Sequence, residues 1–233
     1  MEKLVYAVWK QPGASVEELR DDLIGERGKK LIELGAKRLV VSVADEHVQY
    51  AQGSVITRME GPITALVSFW LDTHLDRAPL EEVIGSVASR HAGYLVLESV
   101  PIVNTTQTAA VGERTPGINT IAFLEKPDRL TYDEWQDLWQ GQHTRVGVET
   151  QSTFLYIQNV VVRAVTKDAP PWVAIVEEGF PGEALTDQKV FYDAGDSDER
   201  LEENRRRMLE SCRRFIEFDH LESHTFSQYV LGD

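Results

Sequence analysis

Short apolar runs alternate with amphipathic stretches along this chain, and the two periods predict its elements. Lys3 to Lys10 (KLVYAVWK) is rich in Val, Tyr and Trp and reads as a strand, which Pro12 and Gly13 turn. Ser15 stands at the cap position of a helix that carries Val16, Leu19, Leu23, Ile24, Leu31 and Leu34 and stops at Gly35. Strands are expected from Arg38 to about Val48 and from Ile63 to Leu71, with a polar loop from Tyr50 to Pro62 between them. A helix around Leu80 to Ser89 leads to a fourth strand, about Tyr94 to Val103. The order is strand, helix, strand, strand, helix, strand.

Asn104 to Pro116 is short on large apolar side chains and ends in proline, so residues 105–116 read as a linker between units 1–104 and 117–233. After it the same order returns. Strands are expected over Gly117 to Glu125, Phe154 to Val165, Trp172 to Phe180 and His224 to Leu231, with a helix from about Asp198 to Phe218. The recurrence extends to letters: Ser15, Glu17, Glu18, Asp21 and Gly25 precede Thr131, Asp133, Glu134, Asp137 and Gly141 by 116 positions. One such unit forms a four-stranded antiparallel sheet with both helices on one face. Its bare apolar face is best covered by the other unit's sheet, and two facing sheets enclose an interior suited to a small molecule.

Charge narrows the partners. With 24 Lys+Arg against 38 Asp+Glu, the net charge of -14 disfavours nucleic acid and anionic membrane surfaces. The arginines at 205–207, 213 and 214 are interleaved with glutamates at helical spacing, the pattern of an ion-paired solvent face. A single cysteine, Cys212, excludes an intrachain disulfide and fits a reducing compartment. It lies in an apolar helical run, where burial is the simpler role than nucleophilic attack. The start MEKLVYAVWK is a strand without a charged-then-apolar leader, so a cytoplasmic location is expected. There is no glycine-rich phosphate loop and no GxSxG elbow.

The candidate chemistry gathers between Gly117 and Val162. Thr131 and Glu134 form a capping box, and Trp135, Leu138, Trp139 and Gln142 or His143 follow on one helix face. Histidine titrates near neutral pH unperturbed, which suits it to proton transfer. Its alternative role is to bond the last helix carbonyls. Glu177 can orient His143 or act as a second base, and its alternative is a buried partner of an arginine. It is followed by Glu178, and consecutive strand residues face opposite sides. Tyr156 shares a side with Gln158 and can donate to a substrate oxygen. Comparing the halves, His143 corresponds to Arg27, Glu177 to Ser68, and Gly179 to Trp70. The second half is therefore expected to hold the site, with glycine leaving room where tryptophan fills the first. His220 and His224 are four apart but straddle a helix-to-strand junction, so no metal site is expected.

The helix LTYDEWQDLWQGQH, the strand YIQNVVV with Gln158 and Asn159, and the strand AIVEEGF together resemble the EthD-like family of the dimeric α+β barrel superfamily. The likeness covers the second half, and reaches the first only through the internal repeat. It implies an α+β fold of two ferredoxin-like βαββαβ repeats whose antiparallel sheets face each other as an intrachain dimeric α+β barrel. It further implies a cofactor-independent lyase, isomerase or cyclase acting on a small oxygenated aromatic, polyketide-like or lactone compound. In that reading His143 and Glu177 are catalytic, and Tyr156, Gln158, Asn159 and Trp139 bind substrate. The alternative is a carrier or stress protein that sequesters an apolar metabolite. Related barrels bind haem, but the acidic balance and the missing ligand pattern speak against haem here. Pairing of two chains into a homodimer is left open.

Overall fold

The computed structural model describes residues 1–48 and 55–232. The first half runs β1 (Glu2–Lys10), α1 (Val16–Ile24), α2 (Glu26–Glu33), β2 (Lys37–Val43), β3 (Ala65–Leu71), α3 (Ala78–Gly85) and β4 (Ala88–Ile102). The second runs β5 (Ile118–Leu124), α4 (Tyr132–Gln136), a π-helical turn (Asp137–His143), α5 (Thr144–Thr150), β6 (Leu155–Ala164), β7 (Ala174–Phe180), α6 (Gln188–Phe191), α7 (Asp198–Phe215) and β8 (Glu222–Val230).

All strand pairings are antiparallel, and the strands close into one barrel in the order β1-β3-β2-β8-β5-β7-β6-β4. The two four-stranded sheets expected to face each other are joined into one closed sheet. Their edges pair, β2 with β8 and β4 with β6, because a closed barrel leaves no strand edge with unsatisfied backbone groups. Each half keeps its own four strands adjacent, with its first and third strands in the middle.

Strand alternation divides the side chains into three layers. Inward residues, among them Val5, Ala7, Tyr94, Ile121, Phe123 and Phe226, fill the barrel. Outward Leu4, Tyr6 and Val8 pack under Leu19, Leu23 and Leu31 of the first half's helices. In the second half Trp135, Trp139 and Phe215 close over Tyr156, Val160 and Val176.

Several boundaries move. The expected helix from Ser15 to Leu34 breaks at Gly25 (φ -92°, ψ -110°), where a Cβ would stand 2.6 Å from the Asp21 carbonyl oxygen. Its counterpart 116 positions on, Gly141, lies inside the π-turn, so both halves depart from α-helical winding at the same place. β2 ends at Val43, α3 ends at Gly85, and β4 begins at Ala88, well before Tyr94. The predicted loop from Tyr50 to Pro62 lies partly outside the described residues; beyond them, Ile56 forms a bridge with Ser223. The arginine-rich face of α7 is ion-paired, with Arg206 holding both Glu203 and Glu210.

Because the halves share backbone ladders at both seams, cleavage of an engineered protease site at exposed Ala110 is expected to leave them associated. Size-exclusion chromatography of the nicked protein checks this; two separate monomeric halves would contradict the barrel.

Candidate functional site

The capping box forms: Thr131 Oγ1 accepts from the Glu134 amide at 3.3 Å, and Glu134 accepts from the Thr131 amide at 2.9 Å. The helix it starts widens into the π-turn, a device often found where a helix must present side chains to a site. That turn carries Trp139, Gln140 and His143 over the sheet.

His143 and Glu177 do not meet. Glu177 faces the barrel interior, where it bonds Asn159 Nδ2 at 3.0 Å and Lys3 Nζ at 3.5 Å. His143 sits on the helix side, its Nδ1 2.9 Å from Ser211 Oγ and its ring 4.7 Å from Phe215. The proposed pairing fails because strand alternation puts Glu178, not Glu177, on the helix side. The expected arginine partner of Glu177 is also corrected, since its cation is Lys3 of the other half.

The substrate-binding set divides the same way. Tyr156 and Gln158 lie on the helix side with Trp139, while Asn159 faces inward with Glu177. Gln158 Nε2 donates to the Tyr156 hydroxyl at 3.1 Å and to Thr144 Oγ1 at 2.8 Å, and Gln140 donates to Gln158 Oε1 at 3.3 Å. Burial raises the Tyr156 pKa further above its ordinary value, so the phenol stays protonated. The room expected at Gly179 is taken by Phe154, whose ring lies 2.7 Å from where a Cβ would stand.

Register exposes residues that sequence reading passed over. Across the second sheet Thr225, Thr120, Glu178 and Tyr156 pair in one row under the helices. The equivalent row of the first half is Leu95, Leu4 and Phe69, with Leu4 and Phe69 fully buried and Phe69 stacked on Tyr6 at 5.6 Å. In the second half Thr120 and Glu178, on the two central strands, remain half-buried, and Thr225 Oγ1 is buried without a partner. Glu178 makes no side-chain hydrogen bond among the described residues, and burial pushes its carboxyl up to about 7. The signal was present in the sequence: the offsets of 116 and 109 that align the halves replace Leu4 by Thr120 and Phe69 by Glu178.

Burial pushes His143 down to about 4, so its imidazole is neutral near pH 7. A histidine depressed in the fold loses stability as pH falls from about 6.5, because the unfolded chain takes up a proton that the folded one refuses. About 2–3 kcal/mol is expected to disappear between pH 6.5 and 4. Denaturant midpoints of His143→Asn against wild type over that range check it; parallel curves would refute it.

Cys212 is held as an inert thiol, pushed up to about 12 by burial, with Sγ 3.7 Å from Met208 Sδ. His220 and His224 bond different carboxylates, Glu125 and Glu222, each at 3.0 Å.

No family model matches the chain, and no curated protein matches it in sequence. Solved structures do. An anthrone oxidase-like protein aligns over 100% of this chain and 93% of its own at 13% identity, TM-score 0.55. A candidate monooxygenase from Lactobacillus acidophilus NCFM aligns over 99% and 96% at 12% identity, TM-score 0.52. A dye-decolorizing peroxidase from Bacteroides thetaiotaomicron VPI-5482 aligns over 99% and 93% at 9% identity, TM-score 0.50. The shared feature is the dimeric α+β barrel fold; the narrower EthD-like likeness has no matching family model behind it. Among the described residues, no helix is long and apolar enough to cross a membrane.

Proposed function

We propose that this protein is an enzyme that moves a proton on a small, largely apolar oxygenated molecule held between the sheet and helices of its second half. Glu178 is the acid–base group. The observation that carries the reading is its carboxyl, half-buried and without a hydrogen-bond partner among the described residues, on a central strand where the first half has the core residue Phe69. A carboxyl pushed up to about 7 accepts and returns protons at neutral pH.

The residues divide the work. Glu178 takes a proton from a carbon beside a carbonyl, and the electron pair moves onto the carbonyl oxygen. Tyr156, protonated and held by Gln158, which Thr144 in turn anchors, donates to that oxygen as charge develops. Return of the proton to another carbon of the same molecule completes an isomerisation; attack of the carbanion on a second carbonyl carbon, whose oxygen takes the proton, completes a ring closure; loss of a β-oxygen substituent that leaves with the proton completes an elimination, each without a cofactor. Neutral His143, anchored through Nδ1 to Ser211, keeps Nε2 for a second substrate oxygen. The two halves are read as a duplicated ferredoxin-like unit, of which the second kept the site.

The anthrone oxidase-like neighbour supplies a probe, because the ring methylene of anthrone is acidified by a conjugated carbonyl. Anaerobic exchange of methylene hydrogens for deuterium, read by NMR for anthrone and a panel of aryl ketones and lactones, tests the proposal. Acceleration over buffer that Glu178→Gln removes is the expected result. Binding of panel members without exchange would replace the enzyme with a protein that sequesters a metabolite.

A further inference from the structure

A second polar chamber lies inside the barrel, at the end where β1 begins. Lys3, 3% exposed, places Nζ 2.5 Å from Glu98 Oε2, 2.9 Å from Asn159 Oδ1 and 3.5 Å from Glu177 Oε1. All three ammonium donors are used, and the second cation bordering this space, Arg38, is solvent-exposed. Glu177 is 2% exposed, and both of its hydrogen bonds fall on Oε1; Oε2 has none among the described residues. The side chain lines a cavity of about 130 Å³, with Ser68, Trp70, Ile157 and Gln228 in the same wall. Val40, Ile157 and Gln228 also border a chamber of about 530 Å³ roofed by the segment joining the halves, including Val103, Ala109 and Val111. The two spaces are therefore neighbours, one charged and one largely apolar.

We propose that this end of the barrel binds a small amphipathic amine, its ammonium on Glu177 Oε2 and its apolar tail under the joining segment. Charge selects the head group. Glu98 and Glu177 face Lys3 inside, Arg38 and Glu113 stand at the walls nearer solvent, and the sum of these groups is one negative charge. An incoming ammonium supplies the missing cation and donates to the free oxygen, whereas a carboxylate would face two like charges. The Arg38 guanidinium already lies 5.7 Å from the centre of the Trp70 ring, so the indole at this wall accepts a cation over its face. The tail is selected by Val40, Val103, Val111 and Ile157, of which Val103 and Val111 are more than 60% exposed in the free protein. Neither cavity includes Glu178, Tyr156 or His143, so this site is separate from the helix-side one.

Isothermal titration at pH 8 with octylamine, 1-octanol and octanoate tests the assignment. Octylamine is expected to bind at least tenfold more tightly than octanol, and octanoate not measurably. Glu177→Gln, which leaves Lys3 paired with Glu98, is expected to reduce octylamine affinity to that of octanol, while Glu178→Gln leaves it unchanged. Val103→Lys, at an exposed position with no folding role, is expected to weaken octylamine at least fivefold and decides the matter if Glu177→Gln unfolds. The proposal is overturned if octanoate matches octylamine, if folded Glu177→Gln or Val103→Lys binds octylamine as wild type does, or if octylamine does not bind.

Discussion

Glu178→Gln is expected to abolish proton exchange, by at least a hundredfold, while making the protein more stable at neutral and alkaline pH. The two effects share a cause. A carboxyl whose folded value is raised from 4.5 to about 7 is more easily ionised in the unfolded chain, so ionisation favours unfolding. The Glu178 contribution to stability is therefore greatest below pH 4.5 and declines as pH rises to about 7, beyond which the loss is complete. The full shift corresponds to about 3 kcal/mol, and the water that reaches this half-buried group reduces it to about 1–3 kcal/mol. Glutamine carries no such penalty, so the variant gains by that amount at pH 8 and by little at pH 4. Urea midpoints at the two pH values measure it. Such an exchange of stability for function marks an active group, whereas a structural carboxylate would destabilise when removed. A Glu178→Gln protein that is less stable at pH 8 and retains exchange activity would refute the assignment.

Lys3→Met is expected to be the most damaging single change to the fold, costing about 3–5 kcal/mol. It strands Glu177, 2% exposed, and Glu98 beside each other with no cation inside the barrel. Asn159 can donate only one bond to Glu177 in compensation. Lys3→Met combined with Glu177→Met should recover part of the loss, since it removes the more deeply buried of the two stranded carboxylates and leaves only Glu98, whose side chain is 17% exposed. Thermal and urea unfolding of the single and double variants at pH 5 and 8 check this. A double variant no better than the single would show that the pair is not coupled.

The two carboxylates at 177 and 178 show where sequence reading stops. Alternation in AIVEEGF establishes that they face opposite sides, and nothing local says which side is the barrel. Lys3 carries no signal at all, since it opens an apolar strand and gains its role from contacts 95, 156 and 174 positions away.

The sequence by itself determined most of the elements and the capping boxes at Ser15 and Thr131. These are written in spacings of two, three and four residues and depend on chain geometry alone. Only the tertiary structure decided that β2 meets β8 and β4 meets β6, and so which face became interior. That choice sent Glu177 to Lys3, left Glu178 under the helices with Tyr156, and separated His143 from the carboxylate it was expected to use. The physical reason is register: one residue's shift in pairing exchanges the two faces of a strand, and register is fixed by partners far away in sequence.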